Sequence, residues 1–310
     1  MMLMIRSGLG ALACVWLTPS LQPATIAVDC GTGATIASAL NTTKPGYTVL
    51  VTGICRESVF IRPEATRIVL NGQGKATIQH PGGTMAPGPA AHGVYIRGRM
   101  ITVTGFRITG APEDGIHFSG PAHAIIDGNV IVQNKGRGIL LDKGSIAQLG
   151  NNTITDNGGV GIKVSESSYA RIGFIIPPDA TPRPNIIQSN GGAGIQVERS
   201  SSAWIVGNTI VANNGPGIAI DRGSEADVVA NTINGNRGDG IVATRSSGVN
   251  LHSTGSPRRD GPNRTDPALK NSGVGVRCSI GGYVDGPLGS LTGTLGAKQL
   301  DSGCIDRVTE

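Results

Sequence analysis

Polar side chains that can carry acid–base chemistry recur at two fixed positions after a repeated glycine. With that glycine counted as position 0, positions 2 and 4 of successive units carry these candidates: Tyr95, Arg97, His117, Asp142, Lys163, Gln196, Glu198 and Asp221. Histidine and lysine can remove a proton, and arginine can stabilise negative charge that develops on a neighbouring carboxylate. Such residues on one surface point to chemistry on, or binding of, an anionic ligand.

The first interpretation of this set is proton abstraction next to a carboxylate, as in a lyase reaction on a uronic acid polymer. Lys163 or His117 is then the base. Arg97 binds the carboxylate of the sugar and Tyr95 acts as an acid. Asp142 is a further candidate catalytic residue on the same face.

Other reactions fit part of the same set. A glycoside hydrolase needs two carboxylates beside the scissile bond, and Glu198 and Asp221 lie on neighbouring units, about 5 Å apart by strand spacing. Asp142 with Glu198 fits the wider pair of an inverting enzyme equally well. Together with Gln196 and Tyr95, Glu198 and Asp221 are the expected substrate-binding residues. Calcium could bind between Glu198 and Asp221, because it takes clustered oxygens, and no other metal or cofactor is expected.

A plainer interpretation is a solvated outer face with no activity. No residue type repeats on neighbouring coils at either position, and His117 alone fits an ordinary surface histidine. Aromatic residues are only 3% of the chain, which leaves few rings for stacking on sugars. Tyr169 and Trp204 are exceptions, but they fall on a different strand of the unit.

The elements that position the candidates are repeats of about 23 residues. The opening glycines are Gly93, Gly115, Gly138, Gly161, Gly194, Gly217, Gly240 and Gly275. Positions 1 and 3 after each of the first seven glycines are apolar, whereas positions 2 and 4 vary, and this alternation predicts a strand with one buried face. Two more apolar ladders follow in each unit. Three short strands leave no room for a helix, so each unit is predicted to be one coil of a parallel β-helix.

Asparagine recurs at two further fixed positions. Four residues before the next glycine stand Asn134, Asn157, Asn190, Asn213, Asn236 and Asn271. Nine residues before it stand Asn129, Asn152, Asn185, Asn208 and Asn231, with Asp266 in the same place. Asparagine suits tight turns, and stacked amides can hydrogen-bond from coil to coil. These residues are therefore expected to be structural.

Two insertions lengthen the period at the same corner of the unit. They cover residues 174–183 and about 252–263. Loops that interrupt a repeat often lie on a binding face, but they are also tolerated as decoration, and both alternatives stay open.

The ends of the chain differ from the array. Residues 1–27 have the charged start, apolar run and small-residue site of a secretory signal peptide, and the apolar run is too short to span a membrane. Four cysteines remain after its removal: Cys30, Cys55, Cys278 and Cys304. An even number in a secreted chain suggests disulfides with three possible pairings, of which Cys30–Cys55 and Cys278–Cys304 would staple the two ends.

The predicted fold is all-β, a parallel β-helix of about nine to ten coils with a short N-terminal capping helix at residues 35–40. Residues 28–46 form the N-terminal cap, 47–278 the β-helix and 279–310 a C-terminal cap or tail. The net charge of +5 is too small to indicate nucleic-acid binding.

The repeated Gly-Ile strand, the Asn-x-Ile-x-x-Asn segment and the block 47–74 resemble secreted right-handed parallel β-helix proteins of the pectate lyase-like superfamily. The resemblance covers residues 30–278 and implies right-handed coils with a polysaccharide along one strand face. It matches no single enzyme family. The nearest run to the Asp-Pro-His motif of mannuronan epimerases is Asp114-Gly115-Ile116-His117, which lacks the proline. The polygalacturonase motifs are not found.

Two functions remain as expectations. One is a secreted, monomeric protein, periplasmic or extracellular, that binds or acts on an acidic polysaccharide, with a lyase reaction as its catalytic form. The other is a non-catalytic structural or adhesive surface module. The fold alone does not separate the two.

Overall fold

The chain forms a parallel β-solenoid, as the repeats predict. The computed structural model of the protein describes residues 24–83, 88–176, 182–252 and 261–309. Ten strands form one sheet and 18 strands form the other. With the partial turns at both ends the solenoid has about 12 turns, more than the nine to ten predicted, because the terminal coils lack the glycine that marks the regular ones.

The ten-stranded sheet contains the strand that follows each opening glycine, which we call the first strand. Its members are Val59–Ile61, Val94–Ile96, Ile116–Phe118, Ile139–Leu141, Ile162–Val164, Ile195–Glu198, Ile218–Asp221, Ile241–Ala243, Val276–Cys278 and Lys298–Leu300. Every pairing is parallel and in register from coil to coil, for example Ile139 with Ile162 and Leu140 with Lys163. Like positions therefore stack along the axis.

The 18-stranded sheet contains the rest of each coil. Its N-terminal strands are Thr25–Asp29, Thr48–Thr52, Ile54–Cys55, Val69–Gln79 and Arg99–Thr109. Its second strands are His123–Asp127, Ile146–Gly150, Tyr169–Ile172, Ser202–Val206, Glu225–Val229, Gly248–Asn250, Tyr283–Pro287 and Ile305–Thr309. Its third strands are Val130–Val132, Thr153–Thr155, Ile186–Gln188, Thr209–Val211 and Thr232–Asn234.

The core is one continuous cluster of the predicted apolar ladders. Ile131, Ile154, Ile187, Ile210 and Ile233 are fully buried one above the other. The coils approach so closely that the opening glycine is required sterically. A methyl group on Gly217 would collide with the side chain of Ile233 and lie 2.7 Å from the carbonyl oxygen of Gly240.

The asparagine ladders are buried and hydrogen-bonded from coil to coil, with one correction. The place in the ladder that was predicted for Asp266 is taken by Asn263, whose side-chain oxygen accepts from the backbone and the side-chain nitrogen of Asn231. An amide can accept there and donate to the carbonyl of Val228, whereas a carboxylate only accepts. The second insertion therefore ends before residue 263.

The N-terminal end is closed by the predicted helix, which spans Ile36–Leu40 with Thr35 as its N-cap. The carboxylate of Glu57 accepts from the backbone N–H groups of Ile36 and Ala37, so it satisfies two donors at the helix start. The predicted signal peptide lies mostly outside the described residues, and its last residues are part of the strand Thr25–Asp29, which pairs with Thr48–Thr52.

The cysteines pair within each end, as Cys30–Cys55 and Cys278–Cys304. Strands Lys298–Leu300 and Ile305–Thr309 continue both sheets through the predicted C-terminal tail. Short helices of 3₁₀ type span Cys30–Thr32 and Pro89–Ala91. Among the described residues no helix is long and apolar enough to cross a bilayer.

Candidate functional site

The predicted candidates lie together on the outer surface of the ten-stranded sheet. We call the side chains at positions 2 and 4 of this sheet, with the residues they contact, the first-strand face. Tyr95 is paired in register with His117, and His117 with Leu140, which in turn is paired with Lys163. Leu140 is apolar and 5% exposed, so it divides the polar residues into two clusters.

The first group, which we call the histidine cluster, consists of His92, Tyr95, Asp114, His117 and Asp142. His92 and Asp114 each precede the opening glycine of their coil, and both are buried. Tyr95 stacks on His92 with ring centroids 5.4 Å apart and meets His117 edge-on at 5.0 Å. Close packing thus holds the three rings in a fixed arrangement.

A chain of hydrogen bonds orders the two histidines. The backbone N–H of Asp114 donates to Nδ1 of His92 at 3.2 Å. Because Nδ1 accepts, Nε2–H of His92 donates to Nδ1 of His117, 3.0 Å away. Nε2–H of His117 then donates to Oδ2 of Asp142, also at 3.0 Å. Both nitrogens of the predicted base His117 are therefore engaged.

Burial and neighbouring charges determine the protonation states of His92 and Asp142. Burial and the charge of His117 lower the pKa of His92 to about 4, so His92 is neutral at neutral pH. Burial raises the pKa of Asp142, but the hydrogen bond from His117 and its charge, with that of Lys143, outweigh it and leave the pKa below its ordinary value. Asp142 is thus a carboxylate that accepts from a histidine.

Asp114 is fully buried and only half satisfied. Its Oδ1 accepts from the backbone N–H of Arg137 at 2.9 Å and from Nε of the same residue at 2.8 Å. Its Oδ2 has no hydrogen-bond partner within the described part of the chain and lies 3.4 Å from Nδ1 of His92 and 3.7 Å from Nδ1 of His117. One ring nitrogen of each histidine and one carboxylate oxygen of Asp114 lie within 4.8 Å of one another, close enough to share a metal ion.

His92 and Arg137 were not among the sequence candidates. The sequence position that could have revealed them is the one before the opening glycine. On three successive coils it carries His92, Asp114 and Arg137. The next three coils carry valine, alanine and proline there, so the change of type marks this end of the array.

The second group, which we call the cationic cluster, surrounds Glu198. This carboxylate is 2% exposed and lies 3.0 Å from Nζ of Lys163, 3.5 Å from Nε of Arg199 and 2.8 Å from Nη1 of Arg222. Gln196 donates to it at 3.1 Å. On the next coil Arg245 pairs with Asp221 at 2.9 Å. Glu166 pairs with Arg199 at 3.1 Å. Lysine, three arginines and three carboxylates thus form one connected network.

The arginines of this cluster share a position that the sequence analysis overlooked. Arg199, Arg222 and Arg245 follow the first strand at position 5, with φ of 58°, 55° and 52°. This left-handed turn directs each side chain back toward the carboxylates of position 4. The signal was the charged column Lys143, Glu166, Arg199, Arg222 and Arg245.

The network bears on three predicted roles. Burial raises the pKa of Glu198, but the hydrogen bond and charge of Lys163, with the charges of Arg222 and Arg199, outweigh it and hold the pKa below its ordinary value. Lys163 is therefore an ion-paired cation. It is better suited to binding a carboxylate than to acting as a base. Arg222 reaches Glu198 and lies 3.8 Å from Asp221, so calcium between these carboxylates would have to displace an arginine.

Arg97 lies at the other end of the face. Nε and Nη2 of its guanidinium lie near Gly120 of the next coil. Each would be 3.9 Å from a methyl group built onto that glycine. Arg97 is exposed and forms no ion pair within the described ranges, so it is available to an anionic ligand.

The described ends of the first insertion pack on the other sheet. The backbone N–H of Ile176 donates to Oε1 of Gln148, whose Nε2 donates back to the carbonyl of Ile176. Arg183 pairs with Asp127 at 2.8 Å. Both partners belong to the 18-stranded sheet, so these ends do not wall the first-strand face. The remainder of the insertions, residues 177–181 and 253–260, lies outside the described residues.

Tyr169 and Trp204 lie on that second surface, as predicted. The guanidinium of Arg171 lies 5.6 Å from the ring centre of Tyr169 and 5.9 Å from that of Trp204. Phe174 stacks on Trp204 with centroids 5.9 Å apart. These neighbours already cover part of both rings.

Comparison with known proteins supports the fold. A family model described as "Right handed beta helix region" matches residues 66–174 and 92–255. A pectate lyase, Pel9A, is similar in structure with a TM-score of 0.61 and 12% identity, over 93% of this chain and 79% of the lyase. A mutant of the periplasmic alginate epimerase AlgG gives a TM-score of 0.51 and 14% identity, over 92% of this chain and 82% of the epimerase. No curated protein matches in sequence. At such identities the likeness concerns the fold, and it confirms the predicted right-handed β-helix.

Proposed function

Since the chain belongs to the right-handed β-helix family, we propose that its first-strand face binds an acidic polysaccharide laid along the axis of the solenoid. The observation that carries the proposal is the cationic cluster. Its arginines repeat once per coil, about 4.8 Å apart, and so offer one cation to each step of a regular polyanion.

The cluster presents positive charge outward although it contains carboxylates. The side chains of Arg199, Arg222 and Arg245 are 52%, 47% and 54% exposed, whereas Glu198 and Asp221 beneath them are 2% and 12% exposed. Glu166, the partner of Arg199, is the one carboxylate of this network that is well exposed, at 40%. A guanidinium has five N–H donors, so an arginine that pairs with a protein carboxylate on one edge can bind a ligand carboxylate on another. The buried carboxylates thus hold the arginines in place for a ligand.

The similar structures support the same class of ligand. The pectate lyase and the alginate epimerase are named for pectate and alginate, which are both polymers of uronic acids. The two disulfides of this chain support a location outside the cytoplasm, where such polymers occur. Secretion, a monomeric state and the absence of nucleic-acid partners remain part of the proposal.

Binding is better supported than cleavage. A lyase needs a base with a free lone pair near the bound sugar. Both ring nitrogens of His117 are engaged by His92 and Asp142, and Lys163 is paired with Glu198. These contacts favour a structural or adhesive module that binds the polymer. A lyase that also cleaves the polymer is the catalytic alternative.

Binding to polygalacturonate and alginate, with neutral dextran as a comparison, tests the proposal. We expect affinity for the acidic polymers only, with a steep decrease as salt is added. The variant R199Q/R245Q should bind at least tenfold more weakly, because two of the three arginines are lost. Arg307→Gln, an exposed arginine on the 18-stranded sheet, is the matched control and should bind normally.

Two outcomes separate the alternatives. Equal binding by R199Q/R245Q and the parent would contradict a site on this face. Release of unsaturated oligosaccharides during the incubation would show a lyase, and its loss in Lys163→Ala or His117→Ala would identify the base. Polymer binding without product, retained in these two variants, would favour the adhesive module.

A further inference from the structure

We infer that His92, Asp114 and His117 form a site for one divalent transition-metal ion, with zinc as the best match. The inference does not depend on polysaccharide binding, because the three residues lie at the other end of the face from the cationic cluster. It also differs from the calcium site expected between Glu198 and Asp221, both in place and in ligand chemistry.

The donor set defines the class of metal. One nitrogen of each histidine and one oxygen of Asp114 lie within 4.8 Å of one another. Two imidazoles and one carboxylate suit zinc and its neighbours in the transition series, whereas calcium takes oxygen ligands. Three protein ligands leave a fourth position open. Glu113 lies nearby, with its half-exposed carboxylate 3.4 Å from Nε2 of His92.

A second, independent observation points to a ligand at this place. Oδ2 of Asp114 is fully buried and lacks a hydrogen-bond partner in the part of the chain that the structure describes. Nδ1 of each histidine lies near it, at 3.4 Å for His92 and 3.7 Å for His117. A buried carboxylate oxygen that faces two imidazoles is unfavourable when left unpaired, and a cation bound by all three groups would satisfy it.

The surrounding residues orient the donors as metal sites require. Arg137 holds the other oxygen of Asp114 with two hydrogen bonds, so Oδ2 cannot turn away. Nε2 of His117 faces Asp142 at 3.0 Å, so a metal would bind at Nδ1 and replace the hydrogen bond that Nδ1 accepts from His92. A carboxylate behind a ligating histidine is the usual outer partner of such sites. The side chain of His117 is 13% exposed, so an ion can enter from solvent.

The scaffold itself does not need these residues. Coils further along the array place Val160, Ala193 and Pro216 where His92 and Asp114 stand, and their strands pair in the same register. Asp239 stands there in a later coil, but both of its oxygens accept from Arg277, whereas Oδ2 of Asp114 has no partner among the described residues. The presence of His92, Asp114 and His117 together therefore needs an explanation other than the stability of the scaffold.

Zinc titration of the chelator-treated full chain tests the site. We expect one zinc ion per chain by elemental analysis after dialysis, and a Kd in competition with a chromophoric chelator. Cobalt substitution should give visible absorption typical of four-coordinate nitrogen and oxygen ligands. His117→Gln should lower zinc affinity at least 100-fold. Asp142→Asn should lower it 10- to 100-fold, because the outer partner of His117 is weakened.

Two controls keep the test decisive. His123→Gln changes a histidine on the 18-stranded sheet and should leave zinc affinity unchanged. Asp114→Asn is informative only if circular dichroism shows a folded chain, so His117→Gln carries the test. Stoichiometric binding that is unchanged in folded His117→Gln, or no binding by the folded parent, would overturn the inference. Polymer binding measured with chelator present reports separately on the proposed function.

Discussion

At the scale of single residues, Glu198 is the centre of the first-strand face. It is almost fully buried, yet it accepts from Gln196 and pairs with Lys163 and Arg222. A buried carboxylate is stable only when it is paired in this way. Glu198 therefore fixes the cations of the cluster, and its removal should affect both stability and binding.

We expect Glu198→Gln to destabilise the chain at neutral pH by about 1–3 kcal/mol, because partly buried cations lose their counter-charge. The pKa of Glu198 is lower in the folded chain than its ordinary value of 4.5, so the unfolded chain takes up the proton first as pH falls. The stabilisation by Glu198 is complete above about pH 4.5 and disappears as pH falls through the folded pKa.

Urea unfolding between pH 7 and pH 3 measures this effect. The difference in free energy of unfolding between the parent and Glu198→Gln should shrink as the pH falls. Glu225→Gln, an exposed carboxylate on the 18-stranded sheet, serves as the control and should differ little from the parent at any pH. A difference that stays constant down to pH 3 would contradict an ionised Glu198 in the folded chain.

Sequence reasoning located the site residues at positions 2 and 4 and missed those before the opening glycine and at position 5. Tyr95, His117, Lys163 and Glu198 face outward together because alternation along a strand determines the side of each residue. His92 and Arg222 stand just outside the strand. Their direction depends on local backbone conformation, such as the left-handed turn at Arg222, which alternation does not predict.

At the scale of elements, the asparagine ladders join one coil to the next. The side-chain oxygen of Asn213 accepts from the backbone N–H and the side chain of Asn190. Its nitrogen donates to the carbonyl of Ile187 and to the side chain of Asn236. All of these groups are buried, so each needs its partner.

We expect Asn213→Ala to lower the free energy of unfolding by about 3 kcal/mol, because it leaves buried donors and acceptors unpaired. Asn214→Ala is a matched control, since Asn214 is the next residue, exposed, and its backbone bond to Asn190 is retained. Thermal or urea unfolding of the two variants checks the difference. Equal stabilities would mean that water replaces the ladder bonds.

The ladders were predictable because a fixed period forces like residues to stack. The prediction was wrong only at Asp266, where the second insertion changes the count of residues within the coil. The structure places Asn263 in the ladder instead. The period of the regular coils does not predict which residue enters the ladder after an insertion. That choice depends on which side chain can both donate and accept hydrogen bonds there.

At the scale of the whole molecule, the central coils of the solenoid are covered on both sides, whereas its two ends are covered to different extents. The central coils pair on both sides, and the N-terminal end is covered by the helix Ile36–Leu40. The last coil, with strands Lys298–Leu300 and Ile305–Thr309, consists mainly of exposed residues. Each coil contacts only its neighbours, so opening is expected to start at the less protected end.

The disulfide Cys278–Cys304 opposes this opening, since it closes a segment of 26 residues around the last coil. A loop of this length corresponds to about 3.5 kcal/mol of stabilisation by the chain-entropy relation. In C278S/C304S, amides of Lys298–Leu300 and Ile305–Thr309 should therefore exchange with deuterium much faster. The strand Ile195–Glu198, four strands before Lys298–Leu300 in the ten-stranded sheet, should exchange as in the parent and serves as the internal reference. Equal acceleration at both places would show that the solenoid unfolds as one cooperative unit, and the picture of coils that open in sequence from the end would then be wrong.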